Sequence, residues 1–348
     1  MAFIDKPADF TARLRTVPGP DSEKIAEARA RQDELLKPKG SLGRLEQLAV
    51  FMAGWSQLDE PYVEDVAALI FAGNHGVTTQ GVSPYPRDVT ARLVEIMGDH
   101  FNATGLQVLA SEFDFDYQLH PIDIEQPTGD ICLGPAMTTD ETIEAINIGA
   151  AAVEALDDAL DVVILGEVGI GNTTIAAALA ARCCGGKGVD WAGPGTGLDA
   201  AGVARKARVV DRALALHGRG SKSAFDILMR LGGREQAAIA GAVVAARHRR
   251  LPVLLDGYVT TASVAPLVLE WPEIVAHCIA GHVSAEPGHR RLLAAMRLSP
   301  ILDLGMGLGE GTGAALALPI LKAAVNLHTS MMTFEDAGLD SGRDGEPA

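Results

Sequence analysis

The chain has little positive charge and few aromatic side chains, and both shortages restrict its function and fold. Its 29 Lys and Arg residues face 45 Asp and Glu residues, which gives a formal net charge of −16. Nucleic-acid binding needs a basic surface that displaces counterions, so this balance argues against that class of protein. Aromatic residues make up only 5% of the sequence. Small aliphatic residues must therefore fill the interior, which favours helices packed closely on a sheet.

Cysteines and long apolar runs are also scarce. Cys132, Cys183, Cys184 and Cys278 do not have zinc-site spacing, and an adjacent pair does not readily form a structural disulfide. We therefore expect reduced thiols in a cytoplasmic protein. The N-terminal segment MAFIDKPADFTARL is too charged for a signal peptide. No stretch offers about 20 uninterrupted apolar residues, so we expect no membrane span.

What the sequence does contain is a repeated pattern of apolar runs. The 348 residues, 48% of them hydrophobic, suffice for one large α/β domain with an appendage, or for two domains. Four runs predict buried strands, each followed by a polar loop with glycine: 66–73, 161–167, 252–257 and 273–281. Helical patterns separate them, whereas residues 113–135 look irregular and the last helix is expected over 319–332. The pattern predicts a mostly parallel, doubly wound sheet with its ligand at the carboxyl edge.

A glycine run near the C-terminus holds a single carboxylate, Glu310. Glycine lets the backbone approach a ligand closely, and the neighbours Leu304, Met306 and Leu308 are apolar. Partial desolvation would raise the pKa of Glu310 toward the range of a general base. A tight loop whose Glu points to water is an equally good interpretation of this residue alone.

The segment GEVGIGNTT, residues 166–174, joins a predicted strand to a predicted helix through a glycine turn. Backbone N–H groups in such a turn can cradle an anion. The turn lacks the Gly-Lys-Ser/Thr of a nucleoside-triphosphate loop and is not a full GxGxxG. A helix cap without a ligand is therefore an equal alternative. The loop after the first strand carries His75, for which a structural hydrogen-bonding role is as probable as a ligand contact.

Taken together, several motifs occur in one order along nearly the whole chain. They are KPKGSLGRLE, NHGVTTQGVSPYP, GEVGIGNTT, GPGTGLD, LDGYVTT, GHVSAEPGH and LGEGTGAALALP. The sequence resembles the nicotinate-nucleotide–dimethylbenzimidazole phosphoribosyltransferases, the CobT family of cobalamin nucleotide-loop assembly, over roughly residues 35 to 335.

The resemblance implies an enzyme that transfers the phosphoribosyl group of nicotinate mononucleotide to 5,6-dimethylbenzimidazole. Nicotinate leaves and α-ribazole 5′-phosphate forms, with inversion at the anomeric carbon and without a metal or an organic cofactor. The implied fold is α/β: a Rossmann-like, doubly wound, mostly parallel sheet over residues 62–322. Residues 1–61 and 323–348 would form a small helical domain from both chain ends, and the enzyme would be a cytoplasmic homodimer.

The resemblance also assigns candidate site residues. Glu310 would be the general base, and Glu167 a second site carboxylate. Substrate-binding candidates lie on the glycine turn (Gly169, Ile170, Gly171, Asn172, Thr173), the GTG turn (Gly195, Thr196, Gly197) with the downstream Lys206, and the SAEPGH loop (Ser284). Others flank the base (Leu308, Gly309, Gly311) or lie in the loop after the first strand (His75, Ser83, Tyr85); Leu308, Ile170 and Tyr85 would face the flat, apolar acceptor.

Two positions depart from the common family pattern. Asn74 stands where relatives often carry Asp, so catalysis should not need an acid there, and Val168 replaces a common Met.

Two other functions would use the same anion-binding turn: hydrolysis of a phosphosugar nucleotide, and non-catalytic sensing of azole bases or nucleotides. Retention of both Glu310 and Glu167 disfavours a sensor, which needs no general base.

Overall fold

The structure is a computed structural model that describes residues 2–340 except residues 57, 59, 100 and 219. Its strands are β1 Val66–Ala72, β2 Asp116–Pro121, β3 Val162–Val168, β4 Val253–Leu255, β5 Cys278–His282 and β6 Pro300–Leu302. Its α-helices are α1 Pro7–Arg15, α2 Ser22–Glu34, α3 Arg44–Trp55, α4 Val89–Asp99, α5 Gly105–Phe113, α6 Thr139–Glu154, α7 Asn172–Cys184, α8 Ala200–His217, α9 Ala224–Leu231, α10 Arg234–His248, α11 Tyr258–Glu270, α12 Pro287–Met296 and α13 Thr312–Ser330. No helix in this part of the chain is long and apolar enough to cross a membrane.

The six strands form one sheet in the order β2-β1-β3-β4-β5-β6, and every neighbouring pair is parallel. This confirms the α/β, doubly wound sheet. After β1 the chain moves outward to β2, whereas after β3 it moves the other way to β4. The connections that leave β1 and β3 therefore diverge, and they open a crevice at the carboxyl ends of these two central strands.

Alternating side chains of β1 supply two separate cores. Leu69 and Phe71 pack into a core with α6, α7, α10 and α11. Ala68 and Ile70 point to the other face and pack with α3, α5 and α13. Because both faces of the strand are covered by helices, it reads in the sequence as a continuous apolar run.

Close helix packing, expected from the small-residue composition, is clearest between α6 and α10. A Cβ at Gly149 would overlap the carbonyl group of Ala238, and one at Gly241 would overlap that of Ile146. The two helices can therefore approach this closely only because each carries a glycine where it crosses the other.

The helices near both chain ends meet on the sheet face covered by α3 and α13. Arg31 of α2 donates to the carbonyl oxygen of Thr329 over 2.9 Å, and the Leu36 N–H donates to Met332 O over 2.8 Å. The first segment lies elsewhere: the Ile4 N–H donates to the Asn147 side chain on α6. The division at residues 62 and 322 stays a prediction, and its second boundary falls inside the continuous helix α13.

Candidate active site

A cavity of about 180 Å³ opens at the carboxyl edge of the sheet, next to the crevice between the β1 and β3 connections. It is lined by residues that follow β3, β4 and β5, by the glycine run before α13, and by one side chain of α4. These residues are Leu93, Glu167, Val168, Gly169, Ile170, Asn172, Thr173, Gly195, Thr196, Gly257, Tyr258, Val259, Ser284, Glu286, Gly307, Leu308, Gly309 and Glu310. The cavity thus joins the two predicted carboxylates to the predicted glycine turn, the GTG turn and the SAEPGH loop.

The glycine turn after β3 forms the wall beside α7. Gly171 is the N-cap of α7 and has a φ of +95°. Residues other than glycine rarely adopt this backbone conformation. The Ile170 N–H donates to the buried hydroxyl of Thr90 over 3.0 Å, which ties the turn to the start of α4. The Asn172 side chain donates to the Glu167 carboxyl group. The turn is therefore rigid and holds one of the two candidate catalytic carboxyl groups in place.

Lys206 lies behind the GTG turn and is buried. Its Nζ donates to Thr173 Oγ1 and to the carbonyl oxygen of Gly193, both over 3.0 Å. Burial lowers the pKa of Lys206 to about 8, although the nearby charge of Glu286 opposes this shift. The Lys206 amino group is thus mainly protonated at neutral pH. Its positive charge can attract an anion into the cavity, next to the Thr173 hydroxyl that it binds.

Glu286 of the SAEPGH loop crosses to the GTG turn. Its Oε1 accepts the Gly195 N–H over 2.6 Å, and its own N–H donates to Ser284 Oγ over 3.1 Å. Burial raises the pKa of Glu286, while the Lys206 charge and the Gly195 N–H lower it. This carboxyl group connects two loops that come from different strands and keeps both against the cavity.

Glu310 is the one residue of the glycine-run loop 304–311 that combines a positive φ with a side chain. Its φ is +66°, in the left-handed region, which costs free energy for a residue with a Cβ. The Glu310 N–H donates to the Glu167 carbonyl oxygen over 3.2 Å. A Cβ at Gly309 would lie 2.8 Å from Glu167 Oε1, so a side chain there would displace the Glu167 carboxyl group. The two carboxylates are therefore brought together by the close approach of their main chains.

The electrostatics of the two carboxyl groups differ. Burial raises the pKa of Glu167 well above its ordinary value, and the charges of Asp256, Glu235 and Glu310 add to the rise. Burial also raises the pKa of Glu310, with a contribution from Asp256, but the Thr104 hydroxyl and the Leu106 N–H oppose the rise. Glu310 is the more exposed of the two. The pair therefore ionises first at Glu310, which suits a proton acceptor.

Some predicted site residues support the cavity without lining it. Gly171 and Gly311 are the N-caps of α7 and α13, directly beside lining residues. Gly197, with φ +114°, lies in the GTG loop. Lys206 reaches the cavity only through Thr173.

The three candidates in the loop after β1 are not among the lining residues. His75 is fully buried, and its Nε2 lies 2.9 Å from Glu235 Oε1, on the far side of the glycine turn. Ser83 accepts the Tyr85 N–H, and the Tyr85 side chain is 51% exposed. The side chain of Asn74, which stands where relatives often carry Asp, donates to the Ile124 carbonyl oxygen. In this structure the region contributes Leu93 to the cavity instead.

Several lining residues were not singled out from the sequence: Leu93, Gly257, Tyr258, Val259, Glu286 and Gly307, together with Val168, which was noted only as a departure. Glu286 belongs to the SAEPGH motif, and Gly257, Tyr258 and Val259 belong to LDGYVTT, so the motifs themselves carried the signal. Leu93 gave none, because it is one apolar residue in an amphipathic helix.

Known proteins match the chain over nearly its full length. Residues 17–339 match a family model described as phosphoribosyltransferase. The match begins before residue 35, where the resemblance was expected to start, and it includes the segment 113–135, which looked irregular in the sequence.

Two curated relatives are similar over nearly their full length. The nicotinate-nucleotide–dimethylbenzimidazole phosphoribosyltransferase of Novosphingobium aromaticivorans is 50% identical, with 96% of this chain and 98% of the relative covered. The enzyme of the same name from Rhodobacter capsulatus is 46% identical, with 97% and 99% covered.

Solved structures of Thermus thermophilus proteins are also similar. The crystal structure named for the same phosphoribosyltransferase matches with a TM-score of 0.86 at 34% identity, covering 92% of this chain and 99% of that one. A structure of CobT from the same organism gives 0.86 at 35% identity, covering 91% and 99%. The chain belongs to the nicotinate-nucleotide–dimethylbenzimidazole phosphoribosyltransferase family.

Proposed function

We propose that this protein transfers the phosphoribosyl group of nicotinate mononucleotide to 5,6-dimethylbenzimidazole, giving α-ribazole 5′-phosphate and nicotinate in cobalamin biosynthesis. The observation that carries the proposal is the cavity that Glu310 and Glu167 line together with the glycine turn and the GTG turn. A site with an anion cradle at one end and a proton acceptor at the other suits a phosphosugar donor and a nitrogen-base acceptor.

The chemistry needs one bond to form and one to break. The unprotonated ring nitrogen of dimethylbenzimidazole uses its lone pair to bond to the anomeric carbon. The bond from that carbon to the pyridinium nitrogen breaks, and its electron pair leaves with nicotinate. The other ring nitrogen of the attached base then loses its proton. Glu310 is the proposed acceptor of that proton, because it is the carboxyl group of the pair that ionises first.

We assign the donor's phosphoribosyl group to the turns at the start of α7. The turn Gly169–Thr173 and the GTG turn present backbone N–H groups and hydroxyls at the N-terminal end of a 13-residue helix, where an anion is favoured. The protonated Lys206, held behind Thr173, adds a positive charge. Ser284 lines the opposite wall and is the proposed partner for the ribose.

The flat acceptor fits the apolar wall of the cavity. Ile170 and Leu93 supply apolar surface, and Leu308, 52% exposed, stands at the mouth next to Glu310. The family resemblance places His75, Ser83 and Tyr85 near the base as well. For these three the proposal rests on the resemblance alone, since their side chains lie outside the cavity lining.

We also propose a cytoplasmic homodimer, on the basis of the family resemblance. The four cysteines are free thiols, as expected in a reducing compartment. The terminal helix α13 does not itself require a partner chain, because Leu318, Leu321 and Val325 are buried within its own chain.

The proposed function is tested by incubating the purified protein with nicotinate mononucleotide, with and without dimethylbenzimidazole. We expect nicotinate to be released only when the base is present, and we expect α-ribazole 5′-phosphate by mass spectrometry. Nicotinate release without the base would indicate a hydrolase. Binding of both compounds without any release would indicate a sensor, and either result would contradict the proposal.

A further inference from the structure

Asp256, the residue directly after β4, binds the backbone at the end of the Glu310 loop and in the first turn of α13 through three hydrogen bonds. Its Oδ2 accepts the Gly311 N–H over 3.1 Å, and its Oδ1 accepts the N–H groups of Gly313 and Ala314 over 2.9 and 3.0 Å. The side chain is fully buried. It is not among the residues that line the cavity, so any effect on the reaction must pass through the loop that it holds.

These bonds replace a helix cap that the local sequence lacks. The N-cap of α13 is Gly311, which has no side chain to accept the N–H groups of the first turn. Asp256 supplies the acceptor from a different strand. As a result the backbone is fixed on both sides of the Glu310 side chain: the Glu310 N–H binds Glu167 O, and the next N–H binds Asp256.

The left-handed conformation of Glu310 makes this restraint necessary. A non-glycine residue with φ +66° persists only where its surroundings fix it. His282 closes the other side of Asp256, with its Nε2 3.6 Å from Asp256 Oδ1. A Cβ at Gly313 would overlap the His282 ring, so the start of α13 fits closely between Asp256 and this histidine.

We propose that Asp256 is a positioning residue for the transfer reaction, and that it holds the Glu310 carboxyl group at the acceptor end of the cavity by capping α13. The inference rests on the proposed function. It adds a residue that touches neither substrate and acts through Glu310.

The buried charge of Asp256 gives this role a distinct readout. His282 of β5 acts on Asp256: burial raises the pKa of Asp256, while the His282 charge and the three bound N–H groups lower it. Asp256 and Glu235 of α10 both act on Glu167 of β3. The charge of Asp256 adds to the burial that raises the pKa of Glu310. Removing the charge should therefore lower that pKa and shift the acid limb of the turnover profile to lower pH.

The test is a double-variant cycle with Asp256→Asn and Glu310→Gln. In Asp256→Asn an amide nitrogen replaces one oxygen that accepts a backbone N–H, so one bond is lost and the loop shifts. We expect turnover to fall about 10- to 100-fold, as for a displacement of about an ångström, with donor affinity within about twofold of the parent. In the Glu310→Gln background the same change should have almost no further effect.

Asp256→Ser, which is smaller and neutral, repeats the test if the Asn variant does not fold. The matched control is Asp161→Asn. Asp161 accepts two backbone N–H groups, but it lies just before β3, at the amino ends of the strands and away from the cavity. It should leave turnover and its pH profile unchanged. Equal losses in the parent and Glu310→Gln backgrounds, or an unshifted acid limb, would overturn the role of Asp256. Base-dependent nicotinate release by the parent protein tests the proposed function separately.

Discussion

The N–H group of Glu310 donates to the carbonyl oxygen of Glu167 over 3.2 Å, so the two acidic residues of the cavity are joined through their main chains. Glu167 lies near the end of β3, where the sheet fixes its position. The loop before α13 is rich in glycine, yet Glu310 anchors it to β3 through its N–H group. The proposed base therefore stands on a rigid support although it belongs to a glycine-rich loop.

The pH dependence of turnover should report the raised pKa of Glu310. A carboxyl group with a raised pKa stays protonated to higher pH, so it becomes a proton acceptor only as the pH rises through that value. We expect the acid limb of kcat to have its midpoint above the ordinary value of 4.5. The measurement is kcat from pH 4 to 8 at saturating substrates. The Glu310→Gln variant should lack this limb, and an identical limb in both proteins would show that another group titrates.

Lys206 should control donor affinity in a pH-dependent way. Its pKa is about 8, so its positive charge is lost as the pH rises through that value. Lys206→Met should weaken binding of nicotinate mononucleotide about 10- to 100-fold at pH 7, the usual effect of removing a charged partner. Calorimetry at pH 7 and pH 9 should show that the parent loses affinity while the variant does not. The control is the exposed Lys39, whose change to Met should have no effect.

Gly171 tests the phosphoribosyl site. Its φ of +95° disfavours any side chain, and a Cβ there would lie 2.8 Å from Thr78 Cγ2. Gly171→Val should distort the turn and reduce donor affinity by about tenfold or more. Gly134→Val is the matched control, because no atom lies within 4 Å of its added Cβ. Calorimetry on folded variants decides; unchanged donor affinity in Gly171→Val would separate the turn from the donor site.

The oligomeric state is open to a direct measurement. Light scattering at micromolar concentration should give a mass about twice the 36.4 kDa of the chain. A monomer mass across the working concentration range would contradict the homodimer.

The sequence predicted the centre of the sheet and missed both edges. The predicted runs overlap β1, β3, β4 and β5, which are buried on both faces and therefore appear as apolar runs in the sequence. The fourth run was wrong in its first half, because residues up to His277 form a 3-10 helix before β5 begins. The outermost strands, β2 and β6, gave no such signal. The segment DYQLHP of β2 is partly exposed throughout, and β6 has only three residues. Each is an edge strand that pairs on one side only, and its side chains are less covered, so its sequence lacks a continuous apolar run.

The start of α13 was also misplaced, at Pro319 instead of Thr312. Proline is favoured in the first turn of a helix, so it is a reasonable start signal. The true start has a glycine at the N-cap, and its acceptor, Asp256, is 55 residues earlier in the chain. A helix capped by a distant side chain leaves no local pattern from which its start can be read.

For the cavity, the motifs predicted the residues whose own backbone forms the turns. Leu93 reaches the cavity through tertiary packing and lies outside every motif, so it could not be found from the sequence pattern. The positions of His75 and Tyr85 illustrate the converse case. Both follow a strand that ends at the site, but one side chain turns into the core and the other into solvent.

The most direct test of the proposed mechanism compares turnover of Glu310→Gln, Glu167→Gln and the double variant, with donor affinity measured separately. Gln keeps the shape of Glu but cannot accept the proton. Glu310→Gln should lower turnover about 10²- to 10⁴-fold, the usual effect of losing a general base, while donor affinity changes little. Glu167→Gln should lose less than about tenfold, because burial and the neighbouring negative charges disfavour the ionised form of Glu167. If Glu310→Gln turns over like the parent while Glu167→Gln is inactive, Glu310 is not the base.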